Sequence, residues 1–495
     1  MTDKSATARV IDKNRKTLTK NVRFFLFESN ILYDMYYFGT DGIRNKAEKL
    51  LADRVPYMLG KALGKNAYKI LVARDVRESS LDIEKQLCLG LLEGDAKIYL
   101  AGVLPTPALA YIAQVEDADF AIMITASHNP PEYNGLKVFG KCGKKLSLDV
   151  EEKLDLSLKE LGESFAKQTE VGQRTSALSG LDDASADVLT DDEAASPLKI
   201  TLSKEHRIRI VEGAEYLYAT HVKKMFPRFD GQKVRIDCAY GCFAELAKRI
   251  FESLGASVVA ENDERDGARV NVNCGSTNIE EFAKRVKTDE IGFAFDGDGD
   301  RVLAVVNGKV YDGDAILLAI STLYRIQGKL KKKIVVGTEL SNSKLQRELA
   351  FGNTALVRTP VGDKYILDAL NTQNSVLGGE KSGHIIMLDK GNTGDGIVTA
   401  LTLLEVKKTI GDLPSFTPYP MLDLNVSAEN PAEYQKSDEF KTKMTAATTL
   451  YSKYGRFVVR PSGTEPVLRI TFECFSPDNQ PVFAKLKKLF CPEQR

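Results

Sequence analysis

Phe120-Ala121-Ile122-Met123-Ile124-Thr125-Ala126-Ser127-His128-Asn129-Pro130 is a run of five apolar residues followed at once by small and turn-forming ones. A run so short, β-prone and bounded by a turn reads as a buried strand that ends where Ser127 begins. The carboxyl end of a strand is where α/β proteins place their chemistry. Taken alone, the segment is equally an ordinary turn in which Ser127 hydrogen bonds its own backbone. Around it, strands and helices alternate. Residues 69–72 form a short strand leading into Arg74-Asp75-Val76-Arg77-Glu78-Ser79-Ser80, a polar loop that opens a helix. Residues 97–100 form another strand, and Leu104-Pro105-Thr106-Pro107 starts the helix that returns to the Ser127 strand. This alternation predicts parallel, doubly wound sheets.

The same pattern recurs downstream. Residues 233–237 and 257–260 read as strands around a helix over 242–254, and a third unit begins near Val302 and includes Ile334-Val335-Val336-Gly337. After Gly411-Asp412-Leu413-Pro414 the strands become shorter, at 456–460 and 468–475, as in a small α+β domain. A chain of 495 residues has room for three or four domains. Between residues 163 and 197 the sequence turns to small residues and acids, too poor in large apolar side chains to order itself, and reads as a surface insertion. Residues 13–23 are basic and precede Phe24-Phe25-Leu26-Phe27, like the start of a signal peptide. Glu28, Asn30 and Asp34 break that apolar run and no small-residue cleavage site follows, so residues 1–35 read as an extension.

Lys plus Arg and Asp plus Glu both number 68, so no net field favours nucleic acid or an anionic membrane, and any anion must be held by local groups. No apolar stretch approaches the ~20 residues that span a bilayer. The seven cysteines are scattered, and only Cys238 and Cys242 lie close together, with no second pair at zinc spacing. The expectation is a cytoplasmic protein with reduced thiols and neither a nucleic-acid nor a membrane partner.

Phe295-Asp296-Gly297-Asp298-Gly299-Asp300-Arg301 spaces three acids by two, which on an extended segment turns their carboxylates to one side. Three carboxylates so close repel unless a cation neutralises them, and oxygen-only ligands point to a hard divalent ion, Mg²⁺ before Ca²⁺ or Mn²⁺. An EF-hand beginning at Asp296 would need Gly at its sixth position and Glu at its twelfth, and finds Arg301 and Asn307. Gly378-Gly379-Glu380-Lys381-Ser382-Gly383-His384 offers a carboxylate, a hydroxyl and an imidazole suited to sugar hydroxyls. Arg460-Pro461-Ser462-Gly463-Thr464-Glu465-Pro466 supplies a guanidinium, two hydroxyls and open backbone amides, the parts of a phosphate cradle.

In order and spacing these four segments resemble the α-D-phosphohexomutase superfamily, from Phe38 to about Glu473. Phe38-Gly39-Thr40-Asp41-Gly42-Ile43-Arg44, Val361-Gly362-Asp363-Lys364-Tyr365 and Leu388-Asp389-Lys390-Gly391-Asn392-Thr393-Gly394-Asp395-Gly396 look most like its bacterial phosphoglucosamine mutase branch. The resemblance implies a heart-shaped α/β molecule of four domains, three related mixed α/β domains and a smaller α+β C-terminal one. They would span residues 36–200 with the phosphoserine loop and the acidic insertion, 201–304 with the metal loop, 305–415 with the sugar loop and 416–495 with the phosphate loop, behind the extension at 1–35. It further implies that Ser127 carries a phosphate and that Asp296, Asp298 and Asp300 hold one Mg²⁺ together with Ser127. Glu380 and Ser382 would bind sugar hydroxyls, while Arg460, Ser462, Gly463 and Thr464 hold the phosphate that is not reacting. Arg44, His128, Lys137, Arg301 and His384 would line the reacting centre as charge stabilisers or proton-transfer groups.

The implied activity interconverts glucosamine 6-phosphate and glucosamine 1-phosphate through a phosphoserine and a sugar bisphosphate, feeding amino-sugar nucleotide and cell-wall precursor synthesis. The alternative is a phosphoglucomutase or phosphomannomutase. Lys381 stands where phosphoglucosamine mutases usually carry Asn, and an ammonium aimed into the sugar pocket would repel a protonated amine at C2. Gly213-Ala214-Glu215-Tyr216 also departs from the family's Gly-Arg-Tyr segment. A phosphohydrolase would have no need of a separate cradle for a non-reacting phosphate, and a sugar-phosphate sensor no need of both Ser127 and three aspartates.

Overall fold

The computed structural model describes residues 36–167, 199–202, 207–462 and 466–491. Four sheets organise the part from Tyr37 onward. In the first, Phe120–Ile124, Lys69–Arg74, Lys97–Val103 and Ile208–Glu212 run parallel, and Tyr133–Gly140 returns antiparallel along Phe120–Ile124. The second repeats this plan, with Ser257–Glu261, Lys233–Asp237 and Glu290–Phe295 parallel and Val302–Val306 returning antiparallel. So does the third, with Ala355–Thr359, Ile334–Thr338 and Leu377–Gly379 parallel and Ile385–Met387 antiparallel. Met421–Ser427, Val467–Cys474 and Gly455–Pro461 form an all-antiparallel fourth sheet, packed with the helices Asp438–Tyr451 and Val482–Phe490.

This repetition positions the chemistry. Three of the polar segments singled out in the sequence are the turn between a strand and the antiparallel strand that follows it, 125–132, 296–301 and 380–384, and the fourth falls between the antiparallel strands Gly455–Pro461 and Val467–Cys474. A single buried apolar cluster contains Leu71 and Met123 from the first sheet, Phe293 and Phe295 from the second and Leu377 from the third, so the first three domains share one core. The C-terminal domain has its own around Phe440, Ile470 and Phe472.

Four expectations are corrected. The sheets are mixed rather than parallel, because each chemical loop sends the chain straight back beside the strand it left. Val302–Val306 opens no third unit; fully buried, it pairs with Glu290–Phe295, and Lys309–Tyr311 adds to it. Ile208–Glu212, beyond the division at residue 200, pairs with Lys97–Val103 in the first sheet. Residues 163–167, assigned to the insertion, continue the helix Leu148–Lys167, whose amphipathic pattern carries through them; the rest of the insertion to Pro197 and the extension over residues 1–35 lie outside the described residues. Among the described residues no helix is long and apolar enough to cross a membrane.

Candidate active site

Ser127 is buried in a left-handed backbone conformation (φ 52°), a strained geometry for a residue with a Cβ that neighbours must impose. They are identifiable. Ser127 N donates to Thr125 Oγ1 (2.8 Å), whose hydroxyl donates to Asp75 Oδ2 (2.7 Å). Arg77, wholly enclosed, pairs with Asp75 (2.9 Å) and donates to the carbonyls of Ser127 (3.1 Å), Asn129 (2.7 Å), Pro130 and Tyr133 (2.9 Å). From the second domain, Asn271 Nδ2 donates to the same Ser127 carbonyl (2.8 Å). Ser127 Oγ, thus placed, donates to Asp296 Oδ2 at 2.6 Å.

Asp296, Asp298 and Asp300 are buried, and one carboxylate oxygen of each lies within 4.8 Å of the others. Gly299 makes the turn at φ 74°, and a Cβ there would strike the Phe243 ring at 2.5 Å. Burial and the facing Asp298 and Asp300 charges push Asp296 well above the usual carboxylate range. Burial acts likewise on Asp300, but Lys137, His384 and Arg301 outweigh it and hold that group well below. Thr106 Oγ1 (2.6 Å) and Lys137 Nζ (2.8 Å) donate to Asp298 Oδ2, and Lys137 also reaches Asp300 Oδ2 (2.6 Å). Among the described residues neither Asp298 Oδ1 nor Asp300 Oδ1 has a hydrogen-bond partner. Buried carboxylate oxygens without donors are costly, and a hard divalent cation fits such a set.

Cations ring these acids. Arg301 Nε lies 3.8 Å from Asp300 Oδ1 and 4.0 Å from Asp296 Oδ2, and Arg44 pairs with Asp41. Arg301, burial and Arg44 together push His128 down to about 2, so its imidazole is neutral, and its buried Nδ1 has no hydrogen-bond partner among the described residues. His384 behaves oppositely. Burial would lower it, but Asp300, Asp363 and Glu380 raise it to about 8, and its Nε2 accepts from Gly394 N (3.2 Å). The structure therefore gathers Ser127, the three aspartates, Arg44, His128, Lys137, Arg301 and His384 around one point, a preorganised field for a phosphoryl group.

In the sugar loop, Glu380 accepts from Gly362 N (3.0 Å) and from Ser382 Oγ (3.2 Å). Lys381 points elsewhere: its ammonium lies 3.5 Å from Met421 Sδ, where its charge acts on Asp312 and Asp314. Ser462 N donates to Val467 O (2.9 Å), closing the turn after Arg460; Gly463 and Thr464 lie outside the described residues. Arg460 sits directly across the strand pair from Arg469, and burial and that second guanidinium lower its proton affinity. Like charges directly opposite each other repel, which suits a shared anion.

Sequence reading missed Arg77, Thr106, Asn271 and Arg469. For Arg77 the signal was present, a second Arg two residues after Asp75 in the loop beside the Ser127 strand; the other three act across domains or strands.

The four units match the phosphoglucomutase/phosphomannomutase alpha/beta/alpha domains I (residues 35–164), II (216–309) and III (312–415) and the C-terminal domain of that family (424–480). The phosphoglucosamine mutase of Thermotoga neapolitana is 37% identical over 447 residues, 88% of this chain and 94% of that protein. The chain belongs to the phosphoglucomutase/phosphomannomutase family. A Clostridium botulinum phosphoglucosamine mutase is similar to the same degree, 37% over 453 residues, 88% of this chain and 94% of that one. Family members share the fold: a phosphoglucomutase/phosphomannomutase family protein from Burkholderia thailandensis superposes with a TM-score of 0.69 at 21% identity, over 92% of this chain and 98% of that one. Aspergillus fumigatus N-acetylphosphoglucosamine mutase, solved with GlcNAc-6P and magnesium, does so at 0.58 and 16% identity, over 92% and 95%.

Proposed function

We propose that this phosphohexomutase interconverts glucosamine 6-phosphate and glucosamine 1-phosphate, with a hexosamine bisphosphate as the intermediate. The observation that carries the reading is Ser127 Oγ within 2.6 Å of Asp296, a hydroxyl from one domain set against three buried aspartates of another. Asp296, Asp298 and Asp300, with Ser127, would hold Mg²⁺, which when bound neutralises charge on the transferring phosphoryl. Ser127 gives a phosphoryl group to the free hydroxyl of a sugar monophosphate and later takes the other phosphoryl back. Arg44, Lys137 and Arg301 offset the charge on the equatorial oxygens as the group passes. The proton leaves the sugar hydroxyl as its bond to phosphorus forms and ends on Ser127 Oγ as the serine–phosphorus bond breaks, with the His384 imidazole beside the metal loop as the relay, and neutral His128 hydrogen bonds the phosphoryl oxygens. Glu380 and Ser382 hold the sugar ring; Arg460, Ser462, Gly463 and Thr464, with Arg469 opposite, hold the distal phosphate.

Two observations favour the amino sugar. The curated relatives that cover most of the chain are named phosphoglucosamine mutases. Lys381 lies on Met421, so its ammonium is no charge against a C2 amine. The seven free thiols support a cytoplasmic enzyme. The test is kcat/KM for glucosamine, glucose and mannose 6-phosphates. A preference for glucosamine by about tenfold, or ~1.4 kcal/mol, is expected; a preference of that size for glucose or mannose makes the protein a phosphoglucomutase/phosphomannomutase instead.

A further inference from the structure

Three acids and two lysines that phosphoryl transfer leaves unused lie, buried or half-buried, between the phosphoserine domain and the sugar-loop domain: Asp41, Lys145 and Glu151 from the first, Asp363 and Lys364 from the third. Lys145 Nζ lies 2.7 Å from Asp41 Oδ1 and 2.8 Å from Asp363 Oδ2. Asp41 Oδ2 meets Lys137 Nζ at 3.1 Å, and Lys137 meets Asp300 Oδ2 at 2.6 Å. His384 closes the circuit, with Nδ1 3.6 Å from Asp300 Oδ2 and Nε2 3.8 Å from Asp363 Oδ2. The result is a closed ring of side chains drawn from three domains, His384, Asp300, Lys137, Asp41, Lys145, Asp363, in which each lysine lies between two carboxylates. Beside it a second buried pair joins Lys364 Nζ to Glu151 Oε2 at 2.8 Å.

We propose that Lys145 and Asp363 are positioning residues that dock the sugar-loop domain on the phosphoserine domain so that His384 faces the metal loop, with Lys364–Glu151 as an outer latch that keeps the cleft shut while a sugar bisphosphate turns. The proposal rests on the mutase reading above. Buried ion pairs add little net stability, but they reject every geometry that leaves a charge unpaired. Here the polarity alternates between neighbours: Asp363 takes a lysine from the first domain and Lys364 takes an acid from it. A shift of the helix Asp363–Gln373 by one residue would set like charges together, so only one docked register is allowed. Asp363 also sits one residue from Gly362, whose N–H holds Glu380, which ties the same contact to the sugar loop.

The test uses the full-length phosphorylated enzyme, with kcat, KM for glucosamine 6-phosphate and the bisphosphate released per turnover as readouts, and melting temperature to register folding. Wild-type turnover reports on the mutase reading by itself; only the variants report on the ring. Lys145→Met and Asp363→Asn should each lower kcat about 30-fold with KM within about threefold, and the double variant should be no slower than the slower single, since both act through one contact. Lys364→Met should raise bisphosphate release about tenfold, and the charge swap Glu151→Lys with Lys364→Glu should bring it back to within about twofold of wild type, a rescue that general destabilisation would not give. Multiplicative losses in the double variant, or singles with unchanged kcat, would overturn the positioning role. Bisphosphate release unchanged in Lys364→Met, or unrescued by the swap, would overturn the latch. Should the inner variants fail to fold, the outer pair decides by these same criteria.

Discussion

Replacing Arg77 by Met asks whether the Ser127 loop is held as the structure implies. The guanidinium pairs with Asp75, both side chains wholly enclosed, and spans four carbonyls of residues 127–133. Removing one partner of a buried pair costs about 3–5 kcal/mol. The loss here belongs at the low end. Asp75 keeps Ser80 Oγ (2.8 Å), Thr125 Oγ1 (2.7 Å) and Arg77 N (3.0 Å) as donors, and Asn271 still serves the carbonyls of Ser127 (2.8 Å) and Asn129 (3.1 Å). A loss of about 3 kcal/mol corresponds to roughly 10²-fold faster amide exchange in the strands Lys69–Arg74 and Phe120–Ile124. Adding Asp75→Asn removes the stranded charge and should recover about 1–2 kcal/mol of it. Activity should not recover with it, because the loop carbonyls still lack their anchor, and turnover should stay about 100-fold down, as when a reacting group is displaced by about 1 Å. Exchange within about fivefold of wild type, ~1 kcal/mol, together with near-normal turnover in Arg77→Met, would refute the reasoning.

Asp298→Asn removes one of the three buried charges at nearly constant shape and should weaken Mg²⁺ binding, followed by calorimetry, while cutting turnover about 100-fold or more; unchanged affinity and turnover would remove the metal-loop assignment. Lys381→Asn should alter the ratio of kcat/KM for glucosamine and glucose 6-phosphates by less than about threefold, well under the ~1.4 kcal/mol of a tenfold effect, because its ammonium already lies on Met421; a tenfold change would place that charge in the sugar pocket. Glu84, buried in the helix Ser80–Leu92 with Arg74 Nε 3.7 Å away, is raised by burial to about 7 from an ordinary 4.5. The folded protein then holds this proton more tightly than the unfolded chain does, so stability present below pH 4.5 is lost as pH rises through 7. The loss is on the order of 3 kcal/mol, and Glu84→Gln should flatten it in denaturant midpoints measured at pH 5 and pH 8; parallel profiles for the two proteins would contradict the shift.

The four chemical loops were legible in the sequence because each is a polar turn behind a strand, three of them with glycine, and together they recur in one order and spacing. Sheet direction was less so. Val302–Val306 is buried on both faces and reads the same whether it opens a new parallel unit or returns antiparallel, and the six residues of the metal loop carry none of the two-residue turn signals that mark a hairpin. Thr106, Asn271 and Arg469 escaped notice because their partners lie on other strands or in another domain, as Asp298 is for Thr106 and Ser127 for Asn271. Lys145 and Asp363 are 218 positions apart in the chain and 2.8 Å apart in the fold. Local pattern records which residues can do chemistry; packing decides which of them meet.

The central claim is that Ser127 lends and recovers a phosphoryl group. A single turnover of enzyme phosphorylated at Ser127, mixed with glucosamine 6-phosphate and quenched over time, tests it most directly by intact mass and by the sugar products. The expected course is loss of one phosphoryl from Ser127 as hexosamine bisphosphate appears in equal amount, then transfer of the bisphosphate's 6-phosphoryl to Ser127 as glucosamine 1-phosphate forms. Glucosamine 1-phosphate formed while Ser127 keeps its phosphoryl group throughout and no bisphosphate appears, or formed as fast by Ser127→Ala, would contradict it.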